Sequence, residues 1–270
     1  MVRQTQEIAS LTDMEFERFR QFARTTCGIS LQPSKKALVS SRLERVLRRN
    51  GWDSYRQYID ILSTRPNGAE WTEFIDCLTT NHTGFFRESD HFSFLQKEVF
   101  AKLNGPVRIW SAACATGEEP YTIAMAAMEG GVRDFEILAT DISRGALAEA
   151  EAGIYEPSRL AGLDLALRNR YLTRAAGSAT ALRVTDQVRR TVRFQPINLL
   201  RPFENVGQFE VIFCRNVMIY FERDTQDQLV SQLARQIRRG GYLFTGHSES
   251  LLQLPPGLEY VKPATYRKVS

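Results

Sequence analysis

The sequence predicts an α/β domain with a largely parallel sheet, preceded by an all-helical segment. Three observations carry this. From about residue 106 onward, short apolar runs alternate with helix-spaced stretches, the order that builds a parallel sheet with helices on its faces. Before about residue 76, apolar residues recur at helical spacing and no strand pattern intervenes. Between them in importance stands SAACATGEEPY at 111–121, with the apolar run VRIW before it and the helix-spaced YTIAMAAM running out of it. Strand, small-residue turn and helix bring a ligand against backbone N–H groups and a helix N-terminus.

The helical segment begins with Thr12 as a cap and Glu15 three residues on as its capping-box partner. Phe16, Phe19, Phe22 and Ala23 then share one face, and Cys27-Gly28-Ile29 breaks the pattern. A second helix is expected at 34–50, with Ala37, Leu38, Leu43, Val46 and Leu47 inward and Gly51 as its stop. Its outer face carries Lys35, Lys36, Arg42, Arg45, Arg48 and Arg49 against a single acid, Glu44. Such a face is either plain solvated surface or a docking surface for an acidic partner. Ser54 caps a third helix through Tyr55, Tyr58, Ile59 and Leu62, Arg65-Pro66-Asn67-Gly68 reads as a turn, and a fourth helix runs over 71–78.

A polar stretch, TTNHTGFFRE at 79–88, leads to a helix with Phe92, Phe94, Leu95, Val99 and Phe100 apolar. Asn81 and Thr83 offer short hydrogen-bonding side chains, and Arg87 offers a fixed fork. Strands follow at 107–110, 135–140, 191–195, 209–214 and 242–245, with a closing antiparallel pair at 258–261 and 265–269. A helix is expected at 142–152 and another at 225–238. Residues 155–190 hold a helix to Tyr171 and then alternating Leu182 and Val184, read as a β-ribbon added to the main fold, whose open edge suits a peptide strand as well as a purely structural extension.

Ligands in open α/β sheets bind outside the carboxyl ends of the strands. Asp141, Asn198, Arg215 and Asn216 all fall at such ends, on the side of the 111–117 loop. Asp141 stands about 24 residues past Gly117, where an acid grips ribose hydroxyls or caps the next helix. The loop has only one glycine, Gly117, and is followed by Glu118 and Glu119, which argue against a pyrophosphate and for a ligand with hydroxyls or positive charge. S-adenosylmethionine, with an adenosine, an amine and a sulfonium, has that chemistry.

The bulk numbers bound the rest. With 270 residues, 43% of them hydrophobic and 24% charged, the chain can hold one large or two modest domains. A net charge of +4 is too mild to imply nucleic acid. The four cysteines, Cys27, Cys77, Cys114 and Cys214, form no C-x-x-C pair and read as reduced apolar residues, and the three histidines make no metal-ligand pattern. No signal peptide or long apolar run is present, so a soluble cytoplasmic protein is expected.

The stretches TTNHTGFFRE, RIWSAACATGEEPY, ATDIS, EAGIY, INLL, FEVIFCRNVMIYF and LFTGHSE, in this order and over nearly the whole chain, resemble the CheR family of chemoreceptor glutamate methyltransferases. The resemblance implies an all-α N-terminal domain, set at 1–76, and a Rossmann-like class I methyltransferase domain at 77–270 with a small β-subdomain inserted at about 178–195. It implies methyl transfer from S-adenosyl-L-methionine to receptor glutamate carboxylates, leaving S-adenosyl-L-homocysteine. By motif position it places Asn81, Thr83, Arg87, Glu119, Asp141, Asn198, Leu199, Arg215 and Asn216 at the cofactor, and Arg87 and Tyr220 beside the reacting groups. Arg42, Arg45, Arg48 and Arg49 are then expected to meet the receptor. His82, where an apolar residue is expected, and Cys114 depart from the family pattern and remove no polar site group. The expected partners are the cytoplasmic domains of chemoreceptors, a receptor C-terminal peptide on the β-subdomain and a regulatory protein; a monomer without bound metal or nucleic acid is expected. Two other classes fit parts of the same sequence: a nucleic-acid methyltransferase using the basic helix as its phosphate surface, and a cofactor-binding regulator without catalysis.

Overall fold

The computed structural model describes residues 8–65, 68–103 and 105–270. The chain packs as two units: one runs to Thr80 and includes Tyr220–Glu222, and the other comprises Asn81–Ile219 and Arg223–Ser270.

Among the described residues the first unit holds four α-helices: α1 (Asp13–Cys27), α2 (Lys36–Asn50), α3 (Tyr55–Thr64) and α4 (Ala69–Leu78). Thr12 and Glu15 form the expected reciprocal cap of α1, Glu15 N–H donating to Thr12 Oγ1 at 3.2 Å and Thr12 N–H to Glu15 Oε2 at 3.0 Å. Phe19 is fully buried at the centre of the unit, edge-on or tilted to Phe22, Tyr55, Tyr58 and Phe74. In α2 the buried residues are Val39, Leu43, Val46 and Leu47. Ala37 and Leu38 are exposed, contrary to the expected inward face, because the short 3₁₀ turn Pro33–Lys35 precedes α2 and the i, i+4, i+7 stripe runs through Val39. Ser54 caps α3 as expected, accepting from Gln57 N–H. Of the turn expected at 65–68, Pro66 and Asn67 lie outside the described residues.

In the second unit the helical stretch Asp90–Phe94 (α5) continues through a π turn at Leu95–Val99. Strands and helices then alternate: β1 (Val107–Ala112), α6 (Glu118–Glu129), β2 (Phe135–Asp141), α7 (Arg144–Ala152), β3 (Ile154–Tyr155), α8 (Leu165–Tyr171), β4 (Leu172–Arg174), β5 (Leu182–Val184), α9 (Asp186–Arg189), β6 (Val192–Pro196), β7 (Phe209–Cys214), α10 (Arg223–Gln236), β8 (Ile237–Thr245), β9 (Leu258–Lys262) and β10 (Thr265–Lys268). Seven strands form one sheet in the order β6-β2-β1-β7-β8-β10-β9. The first five of that order pair in parallel, and β10 and β9 close the edge antiparallel, as the sequence predicts. Every residue of β7 is buried, the mark of a parallel strand covered on both faces. Phe92, Phe213 and Phe244 stack in succession across the core, with centroid spacings of 5.8 and 4.6 Å.

Three boundaries differ from expectation. Helix α10 ends at Gln236 rather than near 238, because Ile237 already pairs with Phe209 and β8 absorbs Gly240 and Gly241 in a register shift before Tyr242 pairs with Val211. Helix α7 starts at Arg144 with Ser143 as its cap, Ser143 Oγ accepting from Ala146 N–H, so Asp141 is not the capping residue. The inserted small sheet is not a ribbon at 178–195. It is a three-stranded sheet in the order β3-β5-β4, drawn from a wider stretch of chain, while β6 is the edge strand of the main sheet. β5, at the alternating Leu182 and Val184, pairs on both sides, so the open edges of the small sheet belong to β3 and β4.

Candidate active site

The β1–α6 loop lies where the sheet order reverses, β2 following on one side of β1 and β7 on the other, which is where such sheets bind ligands. Ala113 (φ 68°), Ala115 (φ 48°) and Gly117 (φ 93°) are all left-handed, which turns successive backbone N–H groups into a concave loop. Only glycine serves at 117: a Cβ there would stand 2.8 Å from Ala150 Cβ and 2.9 Å from the Tyr155 hydroxyl. The other non-glycine residues with positive φ among the described residues are Phe86, Glu88, Asn216 and Ala264. All but Ala264 fall in the segments that converge here, and backbone strain of this kind concentrates at functional sites.

The two acids after the loop have different work. Glu118 is fully buried; its Oε2 accepts from Thr116 and its Oε1 from Arg159, so it ties α6 to the segment before α8. Glu119, also buried, accepts from Ser111 Oγ at 2.7 Å and from Arg215 Nη1 at 2.9 Å. Burial pushes the Glu119 carboxyl up, against the pull of Arg215 and Ser111. Arg215, at the end of β7, also donates through Nη2 to Glu88 Oε2 at 2.9 Å and to the Arg87 carbonyl at 2.5 Å. Burial works to raise Glu88, but the Arg215 charge and the bonds from Arg215, Asn216 and the His247 backbone outweigh it and hold the carboxyl below its ordinary value. Arg215 Nε is buried without a hydrogen-bond partner among the described residues, an open donor inside the site.

Asp141, at the carboxyl end of β2, accepts from Ala115 N–H through Oδ2 and from Ser143 N–H through Oδ1, both at 2.9 Å. It therefore anchors the loop and the start of α7 together. Asn198 Oδ1 accepts from Leu200 N–H at 3.0 Å, Leu199 is buried, and Ile197 N–H donates to the Asp141 carbonyl. Asn81 and Thr83 are half-buried and make no side-chain hydrogen bond among the described residues. The Arg87 guanidinium donates to the His82 carbonyl at 3.1 Å. Glu119, Glu88, Arg215 and Asn216 thus form one bonded cluster, and Asp141 holds the adjoining loop. A phosphate would face two buried carboxylates at the start of α6; a phosphate-free ligand with hydroxyls, an amine and a carboxylate matches this mixture of acids, amides and one open guanidinium donor.

Glu249 is the residue that sequence reasoning assigned no role. It is buried, and it accepts three backbone N–H bonds: Asn216 and Gly246 at 2.7 Å through Oε2, and Ile219 at 3.2 Å through Oε1. It fixes the left-handed turn at Asn216 (φ 58°), and a Cβ on Gly246 would meet Asn216 Nδ2 at 2.5 Å. The matched stretch LFTGHSE contains both Gly246 and Glu249, and that stretch was the available signal.

Tyr220 packs with the helical unit, its carbonyl accepting from Ser30 N–H at 2.9 Å. The basic face of α2 is less uniform than its sequence. Arg42 donates to the Cys77, Leu78 and Thr79 carbonyls and so satisfies the C-terminus of α4, a structural duty. Arg48 pairs with Glu44, Arg49 with Glu73 and Lys36 with Asp13, leaving Lys35 and Arg45, besides Arg42, as members of that face without an ion pair among the described residues. Glu88, His91 and His247, a set that sequence spacing does not announce, bring one donor atom each within 4.8 Å of one another.

Among the described residues no helix is long and apolar enough to cross a membrane. The family described as CheR methyltransferase, SAM binding domain, matches residues 81–266, and its companion, CheR methyltransferase, all-alpha domain, matches residues 14–79. A chemotaxis protein methyltransferase of Borreliella burgdorferi is 38% identical over 96% of this chain and 95% of its own length. Chemotaxis protein methyltransferases of Salmonella typhimurium (39% identical, 94% of this chain and 89% of that one) and Escherichia coli (37%, 94% and 90%) are similar over the same extent. With the all-α unit, the seven-stranded α/β domain and these matches, the chain belongs to the CheR family of S-adenosylmethionine-dependent chemotaxis methyltransferases.

Proposed function

We propose that this protein transfers a methyl group from S-adenosyl-L-methionine to glutamate side-chain carboxylates in the cytoplasmic domains of chemoreceptors, forming glutamate methyl esters. The reading is supported most by likeness to chemotaxis methyltransferases along nearly the full chain. When bound, the cofactor supplies a methyl group already activated by a sulfonium. The acceptor carboxylate, with an ordinary pKa near about 4.3, is ionised at neutral pH. Its oxygen forms a bond to the methyl carbon as the carbon–sulfur bond breaks; no proton changes hands, so no general base is required. What remains for the protein is alignment and partial exclusion of water.

In this reading Glu119 and Asp141 accept from the cofactor's amine and ribose hydroxyls, while Asn81, Thr83, Asn198, Leu199, Arg215 and Asn216 complete its binding site. Arg87 orients the acceptor carboxylate through its fork, and Tyr220 donates a hydrogen bond beside it. Arg45, with the exposed parts of Arg48 and Arg49, meets the acidic methylation region of the receptor. A receptor C-terminal peptide adds as a strand to an open edge of the small sheet, at β3 or β4. The reaction takes place in the cytoplasm.

Incubation of the full chain with methyl-labelled cofactor, in parallel with receptor-containing membranes and with RNA, tests the reading. Label on the receptor alone is expected. Label on RNA, or on neither, would overturn it.

A further inference from the structure

His91, on α5, is fully buried, and neither of its ring nitrogens has a hydrogen-bond partner among the described residues. A buried imidazole normally satisfies at least its N–H, so two orphaned nitrogens point to a ligand. Two donors of the right kind stand beside it. Glu88 Oε2 is 3.6 Å from His91 Nδ1, and the exposed His247 ring packs against the His91 ring with centroids 4.8 Å apart. One donor atom from each of the three lies within 4.8 Å of the other two.

We propose that Glu88, His91 and His247 form a binding site for one zinc ion, open to solvent on the His247 side. Two imidazoles and a carboxylate with a free fourth position are a zinc donor set, and imidazole nitrogen disfavours magnesium and calcium. Tetrahedral zinc with bonds of about 2.0–2.2 Å spaces its ligands roughly 3.3–3.5 Å apart. The Glu88–His91 pair, at 3.6 Å, stands just above that spacing, and the exposed His247 side chain closes the remainder by rotation. Charge permits a cation: Glu88 and Glu119 carry two carboxylates against the single Arg215 guanidinium between them, with Lys262 the further positive charge acting on His91. The two histidines are 156 positions apart in sequence, which is why no ligand spacing announces the site.

Zinc at Glu88 competes with Arg215 for the same carboxylate oxygen and so changes cofactor affinity. That consequence rests on the cofactor role proposed for Arg215; the zinc site itself does not.

The test is direct titration of the metal-free full chain with Zn²⁺ against a chromogenic chelator, for wild type, His247→Ala and Cys77→Ser. His247→Ala keeps the backbone N–H that Glu88 accepts and leaves a surface position, so its fold and its zinc-free cofactor affinity should be intact. One Zn²⁺ per chain in wild type is expected, at least tenfold weaker in His247→Ala and unchanged in Cys77→Ser. Substitution with Co²⁺ should give tetrahedral visible bands without a thiolate charge-transfer band. Equal affinities in wild type and His247→Ala, or a thiolate band, would overturn the site. Zinc binding as expected with unchanged S-adenosylhomocysteine affinity would sever the link to Arg215 and leave the site standing.

Discussion

Glu249→Gln isolates the support beneath the site, because it changes one atom and leaves the shape. The carboxylate accepts three backbone N–H groups, two at 2.7 Å through Oε2 and one at 3.2 Å through Oε1. An amide has a single acceptor oxygen. With that oxygen placed toward Asn216 and Gly246, its NH₂ faces the Ile219 N–H donor to donor. The unsatisfied N–H costs about 1–3 kcal/mol, and turning two charge-assisted bonds into neutral ones costs roughly 1 kcal/mol each. Together this is on the order of 3–5 kcal/mol. For a domain of this size it corresponds to a fall of about 6–20 °C in melting temperature. Because Glu249 holds Asn216 in a left-handed turn, S-adenosylhomocysteine affinity should fall as well, while Glu249→Asp should recover part of both losses. Calorimetric melting and isothermal titration of the two variants read these quantities. A Gln variant within about 0.5 kcal/mol of wild type, with unchanged cofactor affinity, would refute the assignment.

Asp141→Ala should weaken S-adenosylhomocysteine binding by roughly 1–3 kcal/mol, measured by titration; an unchanged dissociation constant would remove Asp141 from the cofactor site. Arg87→Ala and Tyr220→Phe should lower the methyl-transfer rate, and Tyr220→Phe should do so with little change in cofactor affinity, the signature of an interaction used mainly at the transition state. Long-range attraction between exposed charges is screened over about 8–10 Å at physiological salt, so the transfer rate at low receptor concentration should fall as ionic strength rises; Arg45→Glu should flatten that dependence more than the Glu substitutions at Arg48 or Arg49, which already have acidic partners. His91, held down to about 3 against an unfolded value near about 6.5, gives a stability term with a definite sign. The unfolded chain takes up a proton below pH ~6.5 that the folded chain refuses, so stability is fully present above that pH and falls by roughly 1.4 kcal/mol per unit below it. Urea denaturation in metal-free buffer at pH 7 and pH 5 should show this loss, and His91→Phe should remove it.

The parallel sheet was legible because its strands are buried on both faces and read as apolar runs. The 111–121 loop was legible because small residues and a lone glycine between a strand and a helix have few other uses. Thr12 and Glu15 announced their cap by spacing alone. Features that depend on distant partners were not legible. Ala37 and Leu38 look as apolar as Val39, and only the turn before α2 decides which of them faces the core. Arg42 is indistinguishable from Arg45 in sequence, yet it caps α4, more than thirty residues away. The pairing of Glu119 with Arg215 across 96 positions, the three backbone bonds to Glu249, and the meeting of His91 with His247 are products of the sheet's crossovers. The small sheet was misplaced because Leu182 and Val184 alternate like an edge strand, although both neighbours of β5 are recruited from earlier chain.

The chemical nature of the bond formed tests the central claim most directly. Receptor carrying methyl label from the enzyme is treated with mild alkali, and the labelled peptides are mapped by mass spectrometry. The account predicts label released as methanol, mapped to glutamate side chains, and absent from a receptor whose mapped glutamates are changed to alanine. Alkali-stable label, or label on lysine, arginine or a nucleobase, would contradict it.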